Sequence, residues 1–99
     1  MSEYRLTSTA IRHIDEISDY SAERFGEVQT DAYMEGLKRA FELLADFPMM
    51  GMAAFELRPK LRRFVYGSHV VFCTPHADFV QVNAVIYGKR EMRRHMLDF

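Results

Sequence analysis

Leu61-Arg62-Arg63-Phe64-Val65-Tyr66, Gly67-Ser68, His69-Val70-Val71-Phe72-Cys73-Thr74: along this stretch the apolar spacing is extended where upstream it is helical, and that change decides the fold. Both flanks are rich in β-branched and aromatic residues, and Gly67-Ser68 fits a two-residue hairpin loop that begins with glycine. A third run of the same kind, Phe79 to Tyr87, follows the turn chemistry of Pro75 to Asp78. Three strands in an antiparallel meander are the economical topology. Val70-Val71-Phe72-Cys73 is apolar on both faces, which marks the middle strand as central and covered on both sides. In the third strand simple alternation sends Val80, Val82, Ala84 and Ile86 one way and Gln81, Asn83 and Tyr87 the other. Its second face therefore reads as partly polar and open to a partner.

Upstream, the period is that of helices. Tyr4-Arg5-Leu6-Thr7 reads as a short strand, and Ser8 as the N-cap of a helix running to about Phe25. Ala10, Ile14, Ile17 and Ser21 recur at spacings of four, three and four, widened by Ile11 and Tyr20, while Arg12, Asp15, Glu16, Asp19 and Glu23 face water. Gly26 supplies a left-handed C-cap. A second helix, about Glu27 to Phe47, carries Tyr33, Leu37, Ala40, Phe41, Leu44 and Phe47 on one side, and Pro48 stops it. With so short a connection the two helices must fold back as an antiparallel hairpin, and that hairpin must cover one face of the sheet. The expected class is α/β (α+β): an N-terminal strand and a two-helix hairpin packed on an antiparallel sheet. Beyond Gly88, residues 89–99 form a helix-capable tail too short to hold alone, expected to fray unless a partner orders it.

Size and charge agree with one domain, residues 1–99, because 99 residues bury one core without staples and leave no room for a second. The single cysteine, Cys73, cannot form an internal disulfide, and a strand apolar on both faces makes it packing and not a nucleophile. With no leader pattern and no apolar run near the roughly 20 residues a bilayer span needs, a reducing, cytoplasmic setting is expected and no membrane. The net charge of −1 hides a division: residues 1–57 hold five Lys/Arg and eleven Asp/Glu, residues 58–99 eight Lys/Arg and three Asp/Glu. Such a division suits one surface to phosphate or an acidic partner, unless the two charge sets intermix in three dimensions.

The residues also resemble a family. In order and spacing, five segments match: Tyr4-Arg5-Leu6-Thr7; Ile17-Ser18-Asp19-Tyr20-Ser21-Ala22-Glu23-Arg24-Phe25-Gly26; Leu43-Leu44-Ala45-Asp46-Phe47-Pro48-Met49-Met50-Gly51; Leu57-Arg58-Pro59-Lys60-Leu61-Arg62-Arg63; and Gly67-Ser68-His69-Val70-Val71-Phe72. Together they resemble the RelE/ParE superfamily of bacterial toxins, on its ParE-like branch, over nearly the whole chain. The resemblance implies the toxin of a type II toxin–antitoxin pair, held as a hetero-oligomer with a ParD-like antitoxin, meeting operator DNA only through that antitoxin and inhibiting DNA gyrase. The basic residues Arg58, Arg62, Arg63, Arg90, Arg93 and Arg94, with Tyr87, are the candidate contacts for antitoxin or target. For the arginines at 58, 62 and 63 the alternative is edge-strand charge that prevents sheet-to-sheet aggregation.

The superfamily also contains ribosome-dependent messenger ribonucleases, which makes catalysis the competing function. Metal-free RNA cleavage needs a base for the 2′-hydroxyl, cations for the charge building on phosphate, and an acid for the leaving oxygen. Lys60 and Arg62 resemble the basic pair of that branch, and Gly88-Lys89-Arg90-Glu91 places Arg90 as its phosphate-stabilising arginine. Two departures count against it. His69 stands where a further arginine is expected, and Met96 where a tyrosine or comparable group would be, and a thioether does not transfer protons. His69 could serve as a base, but a histidine opening a strand is more often a structural hydrogen-bonding residue. A third reading keeps the fold without toxicity, as an antitoxin-binding module. His13 reads as an exposed helix residue, His76 as a turn residue and His95 as part of the tail, so no metal or other cofactor is expected. Met49, Met50 and Met52, close together in one loop, suit either an adaptable binding surface or core filling, the commoner use.

Overall fold

The computed structural model describes residues 3–88 and Phe99. The expected mobile tail, residues 89–99, therefore lies outside the described residues, apart from Phe99. Strand β1 (Tyr4–Leu6) leads into helix α1 (Ser8–Phe25), then α2 (Glu27–Asp46), a 3₁₀ turn (Pro48–Met50) and four strands: β2 (Met52–Ala53), β3 (Arg62–Tyr66), β4 (His69–Pro75) and β5 (Val80–Tyr87). The sheet has the order β1-β5-β4-β3-β2. The meander β3–β4–β5 is antiparallel as its sequence predicts, with Tyr66 opposite His69 across the Gly67-Ser68 turn and Gly67 at a φ of 53°. Two pairings close the sheet at its ends. β1 lies parallel to β5, with Tyr4 opposite Val80 and Leu6 opposite Val82, and the two-residue β2 lies antiparallel to β3. Among the described residues no helix is long and apolar enough to cross a membrane.

Local chemistry accounts for the helix boundaries. Thr7, not Ser8, is the N-cap: its hydroxyl accepts from the Ala10 N–H at 3.1 Å and donates to the Asn83 carbonyl at 3.1 Å. Thr7 wins because its own N–H is already held by the Val82 carbonyl at 3.1 Å, so the chain leaves the sheet with extended backbone there. Gly26 alone makes the interhelical turn. Its φ of 82° and ψ of 170° lie outside the left-handed helical cap expected of it, in backbone space open to glycine, and its N–H bonds the Ala22 carbonyl while its carbonyl accepts from Thr30.

The core lies between the helical hairpin and the sheet. Ala10 and Ile17 of α1 and Leu37, Phe41 and Leu44 of α2 pack on Val71, Cys73, Val80, Val82 and Val85, with Ile14, Tyr33 and Met34 half-buried beside them. The helical stripes are narrower than their sequence suggests, since Ile11, Tyr20 and Phe47 stay exposed. Alternation along β5 also breaks. Phe72 faces Ala84 and Cys73 faces Val82, so Asn83 is the extra residue of a β-bulge. Beyond it the faces exchange: Val80, Val82 and Val85 join the helical core, while Ala84 and Ile86 join a second apolar cluster on the far face with Ala54, Leu57, Leu61, Val70, Phe72 and Phe99. The expected open, partly polar second face is therefore a small core of its own. Asn83 is buried inside the bulge, its amide donating to Thr74 Oγ1 at 2.9 Å and its carbonyl oxygen Oδ1 accepting from Gln81. That network secures the α1 cap through Thr7 and aligns both layers.

Candidate interaction surface

Of the basic residues singled out in sequence, Arg58, Lys60, Arg62 and Arg63 gather around the β2–β3 edge, each in a different way. Alternation puts Arg62 with Phe64 and Tyr66 on the helical side of the sheet and Arg63 with Val65 on the other. The Arg62 guanidinium folds back on the preceding segment, its Nε donating to the Gly51 carbonyl at 3.0 Å and its Nη2 reaching the Gly51 and Met49 carbonyls. It staples the 3₁₀ turn and β2 to β3. Arg63 pairs with Glu56 at 3.3 Å, an exposed pair worth about 0–1 kcal/mol. The Arg58 guanidinium lies 4.5 Å above the Phe99 ring, which in turn packs 5.6 Å from Phe72. Lys60 is exposed at the turn before β3, with a φ of 65°. Arg90, Arg93 and Arg94 lie outside the described residues, as does Met96.

At the opposite end of the β3–β4 hairpin a compact aromatic cluster holds His69. The Tyr33 hydroxyl, reaching over from α2, stands 2.6 Å from His69 Nδ1 and accepts the Ser68 N–H at 3.1 Å. The Tyr66 hydroxyl donates to the Tyr33 carbonyl at 2.8 Å, and the Tyr87 ring meets the imidazole edge-on at 5.8 Å. Burial pushes the Tyr33 phenol above its ordinary pKa and holds His69 below its own, so both are neutral near pH 7. The Tyr33 hydroxyl also lies 3.3 Å from the Tyr66 carbonyl, so it has both that carbonyl and Nδ1 as partners, and the imidazole tautomer sets which of the two takes the phenol proton. His69 is thus a clamp between α2 and the hairpin. Arg62 pairs across from Cys73 and His69 from Tyr66, so the two stand four residues apart along the ladder, roughly 13 Å. Of the expected ribonuclease residues, Arg62 and His69 are therefore separated, and Arg90 lies outside the described residues. Cys73 is buried with its thiol pushed up to about 11, so it is protonated and unreactive near neutrality.

Two histidines depart from or keep their sequence roles. His13 is no exposed helix residue, because its Nδ1 accepts the Val85 N–H at 3.2 Å and ties α1 to β5. His76 is the turn residue expected, stacked 4.7 Å from Phe79. Among the described residues no group of three His, Cys, Asp or Glu side chains could hold a metal ion.

One feature of this surface follows the less common of the two readings its sequence offered, and is wider than the methionine loop. From the last turn of α2 through β2 and beyond, Leu43, Phe47, Met49, Met50, Met52 and Phe55 are all exposed, Met49 at 70% and Met52 at 72%. Core filling does not explain these methionines. The available signal was apolar density over residues 47–55 without a helical or alternating period, which no single element can bury. At the other edge, Tyr4, Leu6, Ile14, Met34, Leu37 and Phe41 floor an open groove of ≈ 450 Å³, rimmed by Asp31, Glu35 and Lys38.

Comparison with known proteins agrees with this architecture. Residues 4–92 match the model of the ParE toxin of the type II toxin–antitoxin system parDE. Toxin ParE1 of Caulobacter vibrioides is 34% identical over 96 residues, covering 97% of this chain and 99% of the relative. Toxin ParE1 of Mycobacterium tuberculosis is 37% identical over 96 residues, covering 96% of this chain and 98% of the relative. The solved chromosomal ParDE toxin–antitoxin system from P. aeruginosa shares the fold at a TM-score of 0.74 and 13% identity, over 88% of this chain and 96% of that one. A family match across both the helical hairpin and the whole meander places the protein: this chain belongs to the ParE toxins of type II toxin–antitoxin systems.

Proposed function

We propose that this toxin arrests growth by binding DNA gyrase in the cytoplasm, and that a ParD-like antitoxin silences it by direct binding. The carrying observation is the match to ParE toxins along nearly the entire chain. Binding, not bond cleavage, also suits the side chains. The Arg62 guanidinium is engaged by backbone carbonyls and the His69 imidazole by Tyr33, at separate ends of one hairpin. Arg58, Lys60 and Arg63 at the β2–β3 edge and Tyr87 at the other end are proposed as contacts for antitoxin or target, and Arg90, Arg93 and Arg94 are proposed to add to that basic surface.

Two assays run side by side on the purified protein test this reading: gyrase supercoiling, and ribosome-dependent cleavage of a defined messenger. Inhibited gyrase with intact messenger is the expected outcome, and codon-positioned cleavage with unimpaired gyrase overturns it. His69→Gln and Arg90→Ala sharpen the contrast, since loss of a proton-transfer group costs a ribonuclease about 10² to 10⁴ in rate. Most interface residues cost less than about 1 kcal/mol when truncated, so a binding inhibitor keeps most of its potency in both variants.

A further inference from the structure

We infer that Met49, Met50 and Met52 form a reversible oxidation site, at which hydrogen peroxide converts thioethers to sulfoxides in the folded protein and turns the apolar patch around β2 polar. The site depends on neither antitoxin nor target. Among the described residues the sulfur atoms differ sharply in access. Cys73 is fully buried in β4, and its thiol is protonated near neutrality, so the group that ordinarily meets an oxidant first is withdrawn from it. Met34 is half-buried against the helical core. Met49, Met50 and Met52 instead stand together in the chain and are exposed at 70%, 38% and 72%. A thioether has no proton to lose, so access decides which methionine reacts.

In the reaction a sulfur lone pair attacks one oxygen of the peroxide and the O–O bond breaks. The sulfur becomes a sulfoxide, and the second oxygen takes the proton of the first and leaves as water. The fold tolerates this change because main-chain groups, not thioether packing, hold the segment. β2 joins the sheet by backbone pairing, with Met52 opposite Arg63 and Ala53 opposite Arg62, and the Arg62 guanidinium grips the Gly51 and Met49 carbonyls. The new oxygen also has a donor at hand. Met52 and Arg63 share one face of the sheet as directly opposed residues, whose Cβ atoms lie roughly 4.5–5.5 Å apart in such pairs. A sulfoxide oxygen on Met52 is thus within reach of the Arg63 guanidinium, beside Glu56 at 3.3 Å. An oxygen on Met34 would instead press a polar group into the helical core.

Oxidation therefore alters the surface and leaves the fold. The thioethers share the exposed patch with Leu43, Phe47 and Phe55, so three sulfoxides make it a mixed, polar surface. Reduction reverses the change. Sulfoxide reductases, one for each sulfoxide epimer, release the oxygen as water and join two thiols of the reductant in a disulfide.

The test treats the full chain with hydrogen peroxide and follows each methionine by mass spectrometry of tryptic peptides, in which residues 25–38 carry Met34 and residues 40–60 carry the three candidates. Met49 and Met52 should each gain one oxygen at least about fivefold faster than Met34. The protein oxidised at these positions should unfold within about 4 °C of the untreated protein, since changes at exposed positions shift stability little. It should also elute earlier from a hydrophobic-interaction column, and both reductases with a dithiol should restore mass and elution. Met49→Leu, Met50→Leu and Met52→Leu combined keep the apolar volume and should abolish the elution change on peroxide treatment, although Met34 and the other methionines remain. Oxidation of Met34 as fast as that of Met49 and Met52, or an elution change that persists in the leucine variant, overturns the site. Loss of the thermal transition on oxidation, or unchanged elution of the oxidised protein, overturns the switch in surface polarity of a folded domain.

Discussion

Replacing Gly36 by alanine should destabilise this protein, although the same change in the interior of an exposed helix ordinarily stabilises by about 0.8–1.0 kcal/mol. The reason is Tyr66. A Cβ on Gly36 would overlap the Tyr66 hydroxyl and approach its ring carbons Cζ and Cε1 at 3.0 and 3.3 Å. The ring has little freedom to withdraw, because it packs 4.9 Å from the Tyr33 ring and its hydroxyl is bonded to the Tyr33 carbonyl at 2.8 Å. Displacing it forfeits that hydrogen bond, about 1 kcal/mol, and adds overpacking of about 1–3 kcal/mol, so a net loss of roughly 1–3 kcal/mol remains after the helix gain. Each kcal/mol lowers the Tm of a domain of this size by roughly 4–8 °C. Circular dichroism during thermal and urea unfolding reads the effect directly. In a Tyr66→Val background the obstacle is gone, and the same glycine-to-alanine change should turn neutral or stabilising. An ordinary stabilisation by Gly36→Ala in the otherwise unaltered protein would refute the close approach of α2 and β3 on which the His69 clamp depends.

Further perturbations probe other joints. Thr7→Val removes both the helix cap and the hydroxyl bond to the Asn83 carbonyl, and should cost about 1–2 kcal/mol, seen as a lower urea midpoint with unchanged slope. Because His69 has a folded pKa below its unfolded value near 6.5, the unfolded chain takes up the proton first; stability from this residue is full above about pH 6.5 and declines as pH falls from there to the folded pKa. His69→Gln should remove that part of the slope in unfolding experiments between pH 5 and 7.5, and an unaltered slope would assign it to other groups. Cys73, buried with its thiol raised to about 11, should react with a thiol-specific reagent at pH 8 only as fast as the protein unfolds, and rapid labelling of native protein would contradict its burial.

Much of the architecture was legible in one dimension because it depends on neighbours in sequence. Helical spacing from Ala10 to Ser21 and from Tyr33 to Leu44, the single Gly26 between the helices, and the Gly67-Ser68 turn between two apolar runs specify a hairpin of helices and a meander of strands. Local periodicity and turn chemistry act within a few residues, so sequence alone determines them. What required the tertiary structure was every relation between distant segments. β1 joins β5 in parallel, and no local signal encodes which edge a three-residue strand will choose. The bulge at Asn83 exchanges the faces of β5, and an alternating pattern read alone carries no mark of the extra residue. For His69 the sequence favours a structural role over proton transfer without naming a partner, and the fold supplies it in Tyr33, from another element, at Nδ1. Likewise Phe47, Met49 and Met52 are as apolar as any core residue, and only the packing of the finished sheet decides that no described part of the chain covers them. Composition determines that apolar surface exists; which of it stays exposed depends on where the layers end.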